Sequence, residues 1–462
     1  MSVSKTFTDG DDLFNVNSED DYSLNFLGGN DRLTTYKGTT TALMGDGDDR
    51  VVIRGGTVTA DGEAGNDRFD FLADRSGVSL TGGAGADSFF GNGHSISGSI
   101  YGGDGDDSFY NFGRIGGQSV SLYGGVGNDL YRVEPGIPPA IVEYENEGVD
   151  TVQVAPGASY TLAANLENLS VVNFATVAGT PVLRGNDLDN IIRGGSLGET
   201  LYGMDGNDTI LGNGGTDILW GVNGNDRLYG GDGNDELHGQ AGNDLLNGQG
   251  GDDVMIGGAG DDSYFVDSFG DLVMESSDLS GGTDTVRETL SSYTLPDGIE
   301  IGIQQSGDGL TGNADDNSLY GWNLAGGAGN DSLYSSGGGT LWGNDGDDTL
   351  YAAFCDLIGG AGADTFTFVR VGDEVGCQIL DFQAGLDKVD VSAIDANTTV
   401  AGNQAFTVVS AFTGHAGELM IHLPGFDEDY AVIWTDVNGD GHVDMAILLK
   451  WEYDITASDI IL

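Results

Sequence analysis

The chain has 462 residues, and its 16 basic residues against 74 acidic ones leave a formal net charge of −58. A field of that sign repels polyanions, which excludes nucleic acid as a partner, and no apolar stretch approaches the length of a membrane span. There are 81 glycines but only 7 prolines, unlike collagen, and the acids recur periodically amid an ordinary apolar fraction, unlike a disordered polyanion.

In chain order, the first thirty residues hold no apolar core for a cleavable signal. Asp12 and Asp21 there read as a degenerate first coil. A first block then places acids at Asp31, Asp49, Asp67, Asp87, Asp107 and Asp129, with spacings of 18, 18, 20, 20 and 22. Within it a glycine turn alternates with an ordinary loop, such as Ala73 to Gly77. An insert follows, YRVEPGIPPAIVEYENEGVDTV continuing to SYTLAANLENL. Its Val, Thr and Tyr content predicts strands.

The second block, Gly185 to Tyr264, keeps a nine-residue register. Glu199, Asp208, Asp217, Asp226, Asp235, Asp244, Asp253 and Asp262 hold one phase. Two residues after each stands an apolar one: Leu201, Ile210, Leu219, Leu228, Leu237, Leu246, Met255 and Tyr264. A second insert, YFVDSFGDLVMESSDLSGGTDTV continuing to SYTLPDGIEIG, parallels the first, so block plus insert is duplicated. A third block has Asn317, Asp331, Asp348 and Asp364, spaced by 14, 17 and 16. No convincing helical period occurs before the C-terminal region.

The pattern reads G-G-x-G-x-D-x-U-x, with U large and apolar. Each unit predicts half a coil, a six-residue turn and a three-residue strand with U inward. Two units make an 18-residue coil, and stacked coils form two parallel sheets. A core one side chain thick from each sheet is too thin to stabilise such turns alone. Glycine turns that aim carbonyls inward, plus one carboxylate, supply the hard oxygen donors that Ca²⁺ takes. Asp favours turns in any case, but that does not explain Asp rather than Asn or Ser at one phase. The sixteen repeat aspartates of the three blocks are therefore the expected Ca²⁺ ligands. Asp208, Asp226, Asp244 and Asp262 are expected along one edge, with Asp217, Asp235 and Asp253 along the other. About fifteen such ions would neutralise roughly 30 charges. With a dissociation constant near ~0.5 mM, ~5 mM Ca²⁺ adds about 1.4 kcal/mol per site, or ~14 kcal/mol over ten sites, and cytosolic calcium adds essentially nothing. The expectation is a chain unfolded inside the cell and folded outside.

These repeats resemble those of RTX proteins, exported by type I secretion from Gram-negative bacteria, and the resemblance covers nearly the whole chain. The segments GGAGADTFTF, ILDFQAGLDKVDVSAIDAN, AFTGHAGEL and TDVNGDGHVD, with the closing SDIIL, resemble the C-terminal secretion domain of serralysin-type metalloproteases. The resemblance implies export with an uncleaved signal at Asp459 to Leu462. The protease half of that family is missing, because His94, His238, His415, His422 and His442 form no H-E-x-x-H.

Other signals are weaker. Asp436, Asn438, Asp440 and Asp444 have EF-hand-like spacing, but position twelve is Ile447. The loop reads either as an extra Ca²⁺ site or as a tight turn joining two strands. Gly194-Gly195-Ser196-Leu197-Gly198 matches a hydrolase elbow inside a glycine array, where chance explains it. Tyr101, Tyr123, Tyr202, Trp220, Tyr229, Tyr320 and Trp342 should face outward, either gripping sugars or neighbouring proteins or stacking as ladders. Cys355 and Cys377 read as a disulfide or as buried free thiols.

The expected fold is all-β: a parallel β-roll of calcium-binding nonapeptides with a β-rich C-terminal secretion domain. The domains expected are an irregular roll (1–130), an insert (131–184), the regular roll (185–264), a second insert (265–311), a third roll (312–367) and the secretion domain (368–462). No catalytic constellation stands out. The function expected is a secreted calcium-binding structural protein of the cell surface or extracellular matrix: a surface layer, adhesin or biofilm component. Its expected partners are the type I apparatus, other copies of itself or cell-surface polysaccharide. The alternative is a polysaccharide-modifying enzyme, or its accessory module, resembling alginate epimerases.

Overall fold

The computed structural model describes residues 1–112, 120–133, 138–172, 179–275, 281–372, 377–425, 429–450 and 454–462. Parts of both inserts read as strands, 134–137 and 276–280, lie outside the described residues. The chain divides into two compact units, Met1–Asp244 and Leu245–Leu462.

In the first unit the chain alternates between sheets. Ser2–Thr6, Asp21–Asn25, Thr39–Leu43, Thr57–Ala64, Arg75–Ala84, Ile96–Asp104, Val120–Val126 and Ala140–Val142 pair in parallel in that order. The intervening strands, from Leu13–Val16 through Arg50–Ile53, Ser108–Tyr110, Thr151–Val154 and Asn168–Val171 to Arg227–Asp232, form another parallel series. The repeat sets the register: Leu201 pairs with Leu219 and Leu219 with Leu237, one 18-residue coil apart. Every U side chain from Leu201 to Tyr264 is fully buried, and each apolar side chain so buried contributes roughly 1.5–3 kcal/mol. In the first block the U positions Phe69, Phe89, Phe109 and Tyr131 stack at centroid separations of 4.8, 5.0 and 4.9 Å.

Strands in the regular block are longer than the three residues expected. Ile218–Asn223 runs six residues, through Gly221 into the turn, because the turn backbone also pairs coil to coil, as at Met204 with Val222 and Val222 with Gln240. The first insert does not interrupt the winding. Thr151–Val154 pairs in parallel with Leu130–Val133 on one side and Asn168–Val171 on the other.

The second unit is wound the same way. Ser263–Val266, Thr285–Glu288, Ile301–Gln304, Ser318–Gly321, Ser332–Ser335, Thr349–Tyr351, Thr365–Thr367 and Lys388–Asp390 form a parallel series, and Ile460–Ile461 adds to its end. Asp459 anchors that last strand. It is buried, accepts from Lys388 Nζ at 3.2 Å and caps the 3₁₀ turn Ala457–Asp459 through Thr456. The facing sheet runs through Asp356–Ala361 to Gln378–Ile379 and Met445–Lys450, where Tyr430–Asp436 and Glu418–His422 pair antiparallel. Among the described residues no helix is long and apolar enough to cross a membrane. Cys355 and Cys377 are buried free thiols, and the Cys355 N–H donates to Cys377 Sγ at 2.8 Å.

Candidate metal centres

All sixteen repeat aspartates close a turn and are at most 2% exposed. Their carboxylates form ladders. Oδ1 accepts the N–H of the acid or Asn one coil earlier: Asp31 from Asp12, Asp49 from Asp31, Asp67 from Asp49, Asp87 from Asp67, Asp107 from Asp87 and Asp129 from Asp107. Asp208, Asp226 and Asp244 continue one such line, Asp217 and Asp235 another, and Asp331, Asp348 and Asp364 a third, with rungs of 2.6–3.1 Å throughout. Asp253 and Asp262 donate their own N–H groups onward to Asp271 and Asp284.

Oδ2 is different. In Asp31, Asp49, Asp67, Asp87, Asp107, Asp129, Asp208, Asp226, Asp331, Asp348 and Asp364 it is buried and has no hydrogen-bond partner. A buried carboxylate oxygen left this way costs several kcal/mol unless something compensates it. The repeat glycine five residues earlier shows what that is. A Cβ built on Gly62 would overlap Asp67 Oδ2 and the Gly82 carbonyl oxygen together. The same pair of oxygens, one carboxylate and one glycine carbonyl a coil later, meets a Cβ on Gly82, Gly102, Gly203, Gly221, Gly326 and Gly343. Two hard oxygens facing one small space fit Ca²⁺, whose oxygen ligands stand at about 2.3–2.6 Å. These glycines are small for the sake of the oxygens. The turn glycines are needed for their backbone: Gly224 has φ +121° with the Gly206 carbonyl against it.

Without a cation, burial pushes these carboxyls up, and neighbouring carboxylates add to it at most positions. They reach about 8 at Asp49 and Asp129, about 7 at Asp67, Asp107, Asp208 and Asp364, and about 6 at Asp87, Asp226, Asp331 and Asp348. Asp217 rises to about 8 through burial and then the adjacent Glu199. The ion-free site thus prefers a proton where the filled site would hold a cation.

The C-terminal loop is built otherwise. Asp436 accepts Gly439 N–H on Oδ1 at 2.6 Å and Gly441 N–H on Oδ2 at 2.8 Å. Asp444 accepts from Val437 N–H and Asn438 Nδ2, Asn438 Oδ1 from Asp440 N–H, and Asp440 from His442 N–H. The loop joins the antiparallel strands Tyr430–Asp436 and Met445–Lys450.

Several functional positions escape the glycine pattern. Asp150, Glu167, Asp284, Glu300 and Asp387 carry the same ladder through and beyond the inserts. The signal was present as D-x-U, since Val152, Val286 and Val389 are fully buried two residues after Asp150, Asp284 and Asp387. Asn190 and Asn317 open the second and third blocks. Their Nδ2 groups donate to the Leu166 and Ile299 carbonyls, so an amide replaces a carboxylate where a donor is required.

The outward aromatics stack as ladders: Tyr101 on Tyr123 at 4.6 Å, Trp220 on His238 at 3.6 Å, and Tyr320, Tyr334 and Tyr351 at 4.5 and 4.3 Å.

Among curated proteins none matches the chain. Among solved structures it is similar to the solution structure of the AlgE6R3 subunit of the mannuronan C5-epimerase from Azotobacter vinelandii. The identity is 24%, the match covers 36% of this chain and 82% of that one, and the TM-score is 0.21. The RTX calcium-binding nonapeptide repeat, four copies, matches residues 79–95, 99–111, 193–228, 229–264, 323–339 and 339–354. The chain therefore carries RTX calcium-binding repeats in each of its three glycine-rich blocks.

Proposed function

We propose that this chain is a secreted calcium-binding structural protein, exported by a type I apparatus and folded by extracellular Ca²⁺. In this reading it acts at the cell surface or in the matrix, as a surface-layer, adhesin or biofilm component, and has no catalytic activity. The observation that carries the reading is the file of buried Asp Oδ2 atoms without a hydrogen-bond partner, of which those of Asp67, Asp87, Asp107, Asp208, Asp226, Asp331 and Asp348 each face a glycine carbonyl. Such a file makes sense only where cations are abundant. The Asp31, Asp49, Asp67, Asp87, Asp107, Asp129, Asp208, Asp217, Asp226, Asp235, Asp244, Asp253, Asp262, Asp331, Asp348 and Asp364 carboxylates are the proposed ligands. The Asp436 loop is proposed as a hydrogen-bonded turn. The packing of Asp459 against Lys388 and the burial of Ile460 support export before folding, because half of a signal at Asp459 to Leu462 would be covered in the folded chain.

The test is localisation and assembly. The chain should accumulate outside cells expressing a type I exporter, and the purified protein should form calcium-dependent assemblies in light scattering and electron micrographs. A chain retained in the cytoplasm, or strictly monomeric in calcium, contradicts the reading. A second reading, an accessory module for a polysaccharide-modifying enzyme, draws on the Tyr320–Tyr334–Tyr351 ladder, a surface on which sugar rings can stack. Binding or turnover of alginate and related uronates would favour it.

A further inference from the structure

At the last glycine turn of the first block the site changes character. Register carries Gly62 to Gly82, Gly82 to Gly102 and Gly102 to Gly124, and the next coil puts Glu143 opposite Gly124. A side chain thus stands where earlier coils offer a backbone carbonyl. Glu143, Asp129 and Asp150 are all buried, with carboxylate oxygens within 4.8 Å of one another. The U residue also changes, from Phe109 to Tyr131, whose hydroxyl donates to Glu143 Oε1. A Cβ on Gly124 would meet Asp129 Oδ2, Glu143 Oε1 and Tyr131 Oη together, so three oxygens surround one small space. Asp129 is 1% exposed, and its Oδ2, aimed into that space, has no hydrogen-bond partner.

The arrangement is repeated at the end of the second block. Val254–Ala259 pairs with Leu272–Met274 so that Glu275 stands opposite Gly257. Asp262, Glu275 and Asp284 again lie within 4.8 Å, Tyr264 donates to Glu275 Oε1, and a Cβ on Gly257 would meet Asp262 Oδ2 and Tyr264 Oη. The third block supplies a contrast. There Asp381 stands opposite Gly359 and binds the Gly359 and Gly360 N–H groups at 2.8 and 2.9 Å, and the U residue is Phe366. Glu143 likewise accepts the Gly124 and Gly125 N–H groups, at 3.1 and 3.4 Å, so what sets the third block apart is that no phenol is present and that, among the described residues, no three carboxylates gather within 4.8 Å there.

We propose that Asp129, Glu143 and Asp150, and separately Asp262, Glu275 and Asp284, form a second class of cation site, each taking one hard divalent ion such as Ca²⁺ through side-chain carboxylates. Three carboxylates so close cannot all stay ionised without a counter-charge. The hydrogen bonds that reach Asp129, Glu143 and Asp150 come from backbone N–H groups and the Tyr131 hydroxyl, with no basic side chain among the described residues. A divalent ion neutralises two of the three charges, and oxygen-only donors select a hard cation over zinc or copper. With three charges instead of the repeat turn's one carboxylate and carbonyls, these sites should fill at lower calcium than the glycine turns. The rival account is a neutral plug, with Glu143 protonated and held by Tyr131.

The proposal deepens the calcium reading, and the experiment separates the two. Bound calcium per full-length chain is counted after equilibrium dialysis, for the wild type and for Glu143→Gln, Glu275→Gln and Asp381→Asn. Glutamine keeps the shape and the acceptor for the tyrosine. We expect one ion fewer in each Glu→Gln variant, two fewer in the double variant and no change in Asp381→Asn. A wild type that binds no calcium overturns the calcium reading as a whole. Unchanged counts in both Glu→Gln variants overturn the second site class alone. Should those variants not fold, terbium luminescence decides: Tyr131→Phe with Tyr264→Phe preserves the packing and removes the phenols at the clusters. Loss of most of the tyrosine-sensitised emission supports the sites, and undiminished emission overturns them.

Discussion

Asp226 and Asp436 are both buried aspartates in glycine-rich turns with calcium-like spacing, and they are built for opposite ends. Asp436 spends one oxygen on Gly439 N–H and the other on Gly441 N–H. Asp226 spends Oδ1 on Asp208 N–H and leaves Oδ2 facing the Gly239 carbonyl across the space that Gly221 keeps free. In the reading proposed above, the first turn stands as a hydrogen-bonded structure, and the second needs something positive to join it. Spacing alone does not separate the two; the fate of the second carboxylate oxygen is what distinguishes them in that reading.

The largest effect that could break this comparison is removal of the ion. Over ten sites linkage supplies ~14 kcal/mol at millimolar calcium, comparable to the whole stability of a typical domain, so chelation should unfold the repeat blocks. Next come single changes at one turn. Gly221→Ala places a methyl group on Asp226 Oδ2 at an ordinary φ, so it should cost the local ion, about 1.4 kcal/mol by linkage, plus about 1–3 kcal/mol of overpacking. Bound calcium should fall in parallel. Asp226→Asn should likewise lower the calcium count, because an amide nitrogen replaces one of the two oxygens. Asp436→Asn should destabilise by about 1–3 kcal/mol and leave the count unchanged. Calorimetric titration of the variants reads both quantities, and equal loss of calcium in the two variants would erase the distinction.

The pH dependence sharpens it further. The repeat carboxyls are raised from an ordinary 3.8 to about 6–8 in the ion-free fold, chiefly by burial. A raised folded pKa contributes stability that is present below the unfolded value and lost as pH rises through the folded one. The calcium-free chain should therefore gain β structure on acidification from pH ~8 towards ~4, while the loaded chain should lose calcium over the same window as protons compete. Circular dichroism of chain dialysed free of calcium checks this, and a signal independent of pH would count against ion-free, proton-seeking sites. The smallest effect is at Val222. Its φ of +91° is unusual for a β-branched residue; the equivalent position is glycine in the next repeat, Gly231, and unbranched at Cβ in Met204, Asn213 and Gln240, which share the positive φ. Val222→Gly should raise stability by about 1 kcal/mol in calcium, as strain relief outweighs the entropy glycine adds to the unfolded chain. Thermal denaturation in calcium reads it.

Much of this was legible in the sequence for one physical reason: a repeating backbone imposes its period on the residues. The U positions became the core, the aspartate phase became the ladder, and the glycine five residues before each regular aspartate became the space beside its oxygen. What was not legible lay where the period survives with only part of its glycines. Asp150 and Asp284 keep D-x-U and the glycine two residues before, Gly148 and Gly282, but have Glu145 and Leu279 where a regular repeat has the glycine five residues before, so the inserts read as interruptions although the first continues the winding. Glu143 and Glu275 reach their sites only through coil-to-coil register, which no local pattern announces. The parallel pairing of Ile460–Ile461 with Lys388–Asp390 spans some seventy residues and has no local signature. The six-residue strands were missed because turn backbone, normally solvated, is paired here by the neighbouring coil.

The central claim is that the carboxylate oxygens left without protein partners are satisfied by calcium, and that the fold depends on it. Far-ultraviolet circular dichroism of the full chain, titrated with calcium from a calcium-free start and then reversed with chelator, tests it most directly. The account predicts a disordered spectrum at neutral pH without calcium, a cooperative rise to a β spectrum at millimolar calcium, and its loss on chelation. A full β spectrum in chelator at neutral pH would contradict it.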